Sequence, residues 1–468
     1  MNNIPAPSDL RDEQAAPLIE NSATVVLQTA RGIAVKLLSR YENSDSYIDK
    51  MLDGELRRTE LEAADRALVT ELVNGCVRWQ SRLDWILMGF YHGEFTKCMP
   101  IVKNSLRIAL YQMMFLSKIP APAAINESVE LVKRIKGDRH AGVVNGVLRN
   151  ILRNLQSIRY PDRKENEVLY LSVHTSHPQW MVRRYIERFG SEDAEALLTA
   201  NNQRPMLTLR VNSLKTTPEQ VQQELAEADI KFEVSPIHPT SLLVTSLRDV
   251  RGLQLFADGH VTVQDASASL AVQLAAPRPG MKVIDLCAAP GGKAVMAAEL
   301  MGNNGSVIAL EKYESKLSFI QDNAQRSGVS IISPLQGDAR TFSSDKGADV
   351  VLVDAPCTGL GTLSKKPDIK WRRQIDDIRK MVTTQREILD NAAKLVNVGG
   401  CLVYSTCSIE PEENVEAIRW FLQSHPNFTL DAAEKYLQAD VCQEGYVQTF
   451  PHRHRSDGAF AARLVRTS

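Results

Sequence analysis

The sequence predicts an α/β protein whose C-terminal half is a parallel sheet covered by helices, preceded by an all-helical segment and a small α+β module. Three observations carry this. From about Val261 onward, short apolar runs alternate with amphipathic stretches, as strands do when they return to one sheet through helical crossovers. From about Thr24 to Ser157, apolar residues recur at helical spacing. Between these segments, from about Asn166 to His260, helix and strand patterns mix. A chain of 468 residues is too long for one core. We therefore expect a tail at 1–23, a helical domain at 24–160, a linking module at 165–260 and an α/β domain at 261–468.

The tail is polar and proline-containing to about Ser22. In the helical segment the periodic stretches are Ala34–Leu38, Ala67–Val73 and Leu106–Tyr111. Pro120 and Pro122 punctuate its middle, and a further amphipathic helix starts at Ile125. In the linking segment Trp180–Phe189 reads as a helix, and Met206–Val211 alternates like a half-buried strand, as does the stretch from Leu242. A proline opens a helix over Pro218–Asp229. In the last segment the strands are Val283–Cys287, Ser306–Leu310, Ile332–Gln336, Val350–Asp354 and Cys401–Ser405. Helices fall near Lys293–Met301, Glu314–Ser327, Arg379–Val396 and Asn414–Ser424, and a late strand pair uses Tyr446–Phe450 and Phe460–Val465.

Composition excludes several classes. No apolar run is long enough to span a bilayer and no signal-peptide pattern opens the chain, so we expect no membrane association. Seven cysteines at irregular spacings, with no C-x-x-C pair, fit neither a disulfide framework nor a zinc ribbon. A reducing, cytoplasmic setting and no metal follow. With 55 Lys+Arg against 56 Asp+Glu the formal charge is −1, so any grip on nucleic acid must come from local patches.

Two places carry the chemistry. The first is Cys287-Ala288-Ala289-Pro290-Gly291-Gly292-Lys293, which follows the first strand of the α/β segment. Small residues there let the backbone approach a ligand, and the next helix presents free N–H groups to it. Glu311 directly follows the second strand, where a carboxylate can accept both hydroxyls of a ribose, and Asp338 follows the third, placed to meet an adenine amino group. The turn does not read G-x-G-x-x-G, the form that cradles a pyrophosphate, which disfavours a nicotinamide enzyme. The second place is a pair of thiols beside an acid: Asp354-Ala-Pro-Cys357 and Ser405-Thr-Cys407-Ser. A thiolate can add to an unreactive ring carbon and so activate its neighbour. Cys76, Cys98, Cys401 and Cys442 read as small buried hydrophobes.

These motifs, in this order, resemble the RNA cytosine-5 methyltransferases of the Sun/Nop type. The resemblance implies a Rossmann-like methyltransferase domain that uses S-adenosyl-L-methionine (SAM). It places the cofactor on Cys287–Lys293, Glu311, Asp338 and Asp354, makes Cys407 the nucleophile toward carbon 6, and ties Cys357 to breakdown of the adduct. DNA cytosine-5 enzymes attack from a Pro-Cys cysteine, which is Cys357 here; the Thr-Cys motif assigns the role to Cys407. Asp354 is expected to bond N3 or the exocyclic amine, and donation at N3 requires burial to keep it protonated. Ala294 stands where Thr or Ser usually follows the lysine, Glu311 where many relatives carry Asp, and Ala459 where Phe is usual. Gln264-Asp265-Ala-Ser267 matches an entry motif, and Pro451–Phe460 a terminal one. Lys365–Arg373 joins basic and aromatic residues in a loop suited to phosphate grip and base stacking.

In the helical segment, Asp65-Arg66, Gly75-Cys-Val-Arg-Trp79, Ala124–Val129 and Val144–Arg149 resemble the NusB family, a helical RNA-binding module. Lys133, Arg134, Lys136, Arg139, Arg149 and Arg153 cluster near its end. Charge alone fits a solvated face equally well, and the NusB resemblance favours RNA. Together the resemblances imply an enzyme that methylates a cytosine of small-subunit (16S) rRNA, either free or in a partly assembled ribosomal particle; we expect a monomer, although the sequence does not specify oligomeric state. A tRNA cytosine-5 methyltransferase and a non-catalytic RNA-binding assembly factor are the alternatives. The NusB-like segment speaks for rRNA, and the retained cysteines speak for catalysis.

Overall fold

The structure, a computed structural model, describes residues 26–245, 247 and 250–468; the tail expected at 1–23 lies outside them. The chain divides into two compact units, one running to Leu198 and including Lys366–Asp368, the other comprising Thr199–Lys365 and Ile369–Ser468.

In the first unit every regular element among the described residues is helical. The helix Pro100–Phe115 is its axis: proline opens it, where the missing N–H costs nothing, and Val102, Leu106, Ile108, Ala109 and Leu110 are buried. Around it lie Ala30–Tyr41, Ala63–Arg78, Gln80–Phe90, Ala121–Lys136 and Asp138–Arg153. The NusB-like motif residues hold this bundle together. Gly75 lies against Tyr111, whose ring carbon would sit 2.1 Å from any Cβ there. Trp79 stacks on Phe115 with ring centroids 4.7 Å apart, and Arg66 donates to the Leu56 carbonyl at 2.8 Å. The six basic residues from Lys133 to Arg153 are all exposed.

The second unit holds two sheets. The smaller contains β1 (Leu207–Val211), β2 (Phe232–Val234), β3 (Ser241–Val244) and β4 (Val261–Val263), in the order β2-β3-β1-β4 with every pair antiparallel. A helix, Pro218–Glu227, joins β1 to β2 and begins in a reciprocal cap between Thr217 and Gln220.

The larger sheet is α/β. Its parallel strands are β5 (Lys282–Asp285), β6 (Ser306–Glu311), β7 (Ile332–Gln336), β8 (Ala348–Asp354) and β9 (Val396–Thr406). β10 (Phe428–Asp431), β11 (Cys442–Gln443), β12 (Tyr446–Thr449) and β13 (Ala459–Arg466) extend it. The order is β7-β6-β5-β8-β9-β13-β12-β11, with β10 beside β13. The sheet is thus mixed, because β13 runs antiparallel to β9. Alternate residues serve opposite faces: Val283, Val350, Leu352, Cys401 and Val403 enter one core, and Ile284, Val351, Val353, Leu402 and Tyr404 the other. Strand order reverses between β5 and β8, so the crevice beyond their carboxyl ends is the topological switch point.

Two residues weld the small sheet to the large one. Arg210 of β1 is ion-paired with Glu299, on the helix that follows β5, and both side chains are buried. Asn212 donates to the carbonyls of Gly259 and Ser327, each at 2.9 Å.

Candidate active site

β8 and β9 are parallel neighbours in a register that pairs Asp354 with Ser405. Chain segments leaving their carboxyl ends therefore emerge side by side. Cys357 lies three residues past β8 and Cys407 one past β9, which brings their sulfurs to 3.2 Å. Cys407 is exposed and Cys357 half-buried. Either sulfur can donate in this contact; with Cys357 as donor, Cys407 is held below the ordinary thiol range, and the Lys293 ammonium adds to the effect. Cys357 is pushed well up by that same bond and by burial. The pair is polarised, with Cys407 the member that ionises first.

The loop after Cys357 is clamped between two others. Gly361 donates to the Cys407 carbonyl at 3.0 Å and accepts from the Gly458 N–H at 2.8 Å. A Cβ at Gly361 would lie 1.8 Å from the Gly458 oxygen, so only glycine permits this approach.

Asp354 ends β8 with its carboxylate 2.6 Å from Lys293 Nζ, and it accepts from Ser405 Oγ at 3.1 Å. Burial alone would lower the Lys293 ammonium, but Asp354 beside it raises it above its ordinary value. Lys293 sits in the first turn of the helix Gly292–Leu300, whose N-cap Gly291 has φ +107° and no capping side chain. Cys287, Ala288, Ala289 and Pro290 form the turn from β5 into that helix, with the Ala289–Pro290 bond cis. Burial pushes the Cys287 thiol far up, leaving it inert. Asp285, at the end of β5, is 1% exposed. One of its oxygens accepts from the Cys287 N–H at 3.3 Å, and the other is buried without a hydrogen-bond partner among the described residues. Burial, reinforced by Asp354, pushes Asp285 up to about 7.

Glu311 ends β6, buried, with one oxygen accepting from the Tyr313 N–H at 3.0 Å. Asp338 follows β7, where Arg340 engages both its oxygens and holds it far below the usual carboxylate range. The carboxyl ends of adjacent strands thus carry Asp338, Glu311, Asp285 and Asp354 in spatial order.

Sequence comparison places this geometry. Residues 272–465 match the 16S rRNA methyltransferase RsmB/F family, 28–153 the NusB family, and 177–251 the ferredoxin-like domain of RsmF/B-like methyltransferases. The chain is 37% identical over 441 residues to the probable ribosomal RNA small subunit methyltransferase B of Bacillus subtilis (strain 168), covering 92% of this chain and 97% of that one. The chain belongs to the RsmB/F family. Its counterpart from Synechocystis sp. is 34% identical, with 94% and 99% covered. Among solved structures, PH0851 superposes with a TM-score of 0.78 at 29% identity, over 93% of this chain and 99% of that one. A methyltransferase homolog from Pyrococcus horikoshii gives 0.57 at 26% identity, with 64% and 99% covered.

Membership of the RsmB/F family implies SAM, and the residues present fit it. The unpartnered, buried Asp285 oxygen is an acceptor awaiting a donor, which an α-ammonium group supplies. The uncapped helix start offers free N–H groups to a carboxylate. Glu311 keeps one oxygen free of hydrogen bonds among the described residues, as ribose hydroxyls require.

Sequence reasoning missed three members of this site: Asp285, read only as part of a strand, Ser405 as an Asp354 partner, and Glu413. Glu413 lies in the acid-rich turn after Cys407, completely buried between the two cysteine loops. The basic loop after Cys357 also differs from expectation. Lys365 bridges Asp265 and Asp457, and Lys370 is buried with its ammonium 3.0 Å from Asn202 Oδ1, so neither is presented for phosphate.

That bridge makes stability pH-dependent. Burial pushes Asp265 up, but the Lys365 ammonium, helped by Ser456 and Ser267, more than offsets it and holds the carboxyl at about 2, below its ordinary 3.8. A depressed folded-state value stabilises above the unfolded value and is lost as pH falls from about 4 toward 2. Its size is about 2 kcal/mol. In Asp265→Asn the stability gap to wild type should narrow by that amount between pH 5 and pH 2, read by denaturant titration across pH. A gap independent of pH would exclude Asp265 as the titrating group.

Proposed function

We propose that this chain methylates carbon 5 of a cytosine in 16S rRNA through a covalent bond between Cys407 and carbon 6. The observation that carries this reading is the pair of thiols, 3.2 Å apart, at the switch point beside Asp354. Carbon 5 of cytosine is a weak nucleophile. As the Cys407 sulfur bonds to carbon 6, the electrons of the 5,6 double bond become available at carbon 5. SAM, when bound, supplies the electrophilic methyl group. Asp285, Glu311, Asp338 and the Gly291–Lys293 turn hold that cofactor, and Lys293 orients Asp354 through their ion pair. A carboxylate so paired suits acceptance from the exocyclic amine of cytosine; donation at N3 would require Lys293 to pass it a proton. After transfer a base takes the carbon-5 proton, the electrons of that bond reform the 5,6 double bond, and the carbon 6–sulfur bond breaks to return Cys407 as a thiolate; Cys357, adjacent to that sulfur, serves this release.

The name of the Bacillus subtilis relative and the NusB match support small-subunit rRNA as the substrate. The test is incubation with labelled SAM and either deproteinised 16S rRNA, small-subunit particles or bulk tRNA, followed by nucleoside analysis. We expect label in 5-methylcytidine from 16S rRNA, free or in particles. Label in tRNA alone would move the substrate to tRNA, and label in another nucleoside would overturn the carbon-5 assignment. No label in any RNA would favour a binding factor.

A further inference from the structure

The two cysteine loops share an anchor outside the reacting groups. Glu413 is completely buried, and its carboxylate accepts four hydrogen bonds. Oε1 takes the Thr358 N–H at 2.8 Å and Gln385 Nε2 at 3.0 Å. Oε2 takes the hydroxyls of Thr358 and Ser408, each at 2.5 Å. Thr358 directly follows Cys357, and Ser408 directly follows Cys407. The Glu413 backbone is fixed too, because its carbonyl accepts from Tyr404 OH at 2.7 Å. Glu413 makes no ion pair among the described residues. An unneutralised buried carboxylate is costly, and a neutral glutamine could hold the same loops by turning two hydroxyls round as acceptors. Scaffolding therefore does not require the charge.

We propose that Glu413 is a positioning residue that selects the nucleophile: one buried carboxylate ties both cysteine loops together and sets a negative charge on the Cys357 side. This rests on the reading of Cys407 as nucleophile and Cys357 as releasing group. The charge disfavours a thiolate at Cys357, which therefore keeps its proton and donates it in a hydrogen bond to Cys407. Cys407 ionises in consequence. The other charged groups facing the pair are Asp354, Lys293 and Asp457: Asp354 raises both thiols, the Lys293 ammonium lowers Cys407 and so works with Glu413, and Asp457 raises Cys407 and works against it.

The test needs no RNA, so it stands apart from the identity of the substrate. Wild type and Glu413→Gln are alkylated with iodoacetamide across pH, and each cysteine is followed by mass spectrometry. In wild type Cys407 reacts at lower pH than Cys357. In Glu413→Gln the Cys357 midpoint falls, the Cys407 midpoint rises, and their separation shrinks by on the order of one pH unit. Methyl transfer to 16S rRNA loses rate near neutral pH and regains it in alkali, which a merely structural lesion would not reproduce. Unchanged alkylation profiles in a folded Glu413→Gln overturn the proposal. If that variant fails to fold, Thr358→Val removes one tether and leaves the charge. The proposal then expects Cys407 to react only at higher pH, as the thiols part, and a wild-type profile overturns it.

Discussion

In Cys357→Ala the protein accumulates covalently joined to its RNA, whereas in Cys407→Ala neither the adduct nor methyl transfer survives. The polarity of the thiol pair gives this asymmetry its physical basis. Cys407 is exposed and held low, so it is the sulfur able to attack. Its loss removes the covalent route, and the rate should fall on the order of 10³-fold or more. Cys357 is held high and hydrogen-bonded to its neighbour. Its loss leaves attack possible but release impaired, so a complex resistant to denaturation builds up in the presence of SAM and 16S rRNA. The same substitution takes away the bond that lowers Cys407, so the adduct should form more slowly at neutral pH than the wild-type intermediate, and the deficit should close as pH rises. A denaturing gel of labelled RNA with each variant reads all of this. An adduct in Cys407→Ala and none in Cys357→Ala would exchange the two roles.

Much of this site was legible because its chemistry sits at strand ends. Runs such as Val350–Asp354 and Cys401–Ser405 declare buried strands, and in an α/β sheet the residues just past a strand face the ligand crevice. That logic places Asp354, Cys357, Cys407, Glu311 and Asp338. Periodicity does not say which strands become neighbours. Bringing Cys357 to Cys407 across fifty residues depends on β8 lying beside β9, which only the register shows. The short strands escaped for a local reason. β2 is Phe-Glu-Val and β11 only Cys-Gln, too few residues to display alternation. Buried charge escaped for a physical one: a lysine or glutamate reads as solvated unless its partner is known, and the partners are distant in sequence. Asp265 meets Lys365 across a hundred positions, and Glu413 meets Thr358 across 55. Gly361 gave no warning either, since the backbone it must clear belongs to Gly458.

Arg210→Ala should cost the second unit about 3–5 kcal/mol, because it breaks an ion pair buried on both sides. Arg210 and Glu299 are 2% and 1% exposed. The guanidinium also donates to Gln264 at 2.6 Å and to the second Glu299 oxygen at 3.1 Å. Truncating the arginine leaves a carboxylate in the interior without its ion-pair partner, and that poorly compensated charge dominates the cost. The worth of the pair differs from the penalty of breaking it. Replacing both partners by apolar residues of similar length, Arg210→Met with Glu299→Leu, removes the orphan charge and should recover most of the loss. Because a chain of two units need not unfold in one step, amide exchange along β1 and the helix Gly292–Leu300 is the appropriate measurement. Arg210→Ala should accelerate exchange in both elements, since the pair joins the small sheet to the helix that carries Lys293. Equal destabilisation in the single and double variants would show that packing by the arginine stem, rather than charge neutralisation, holds the two sheets together.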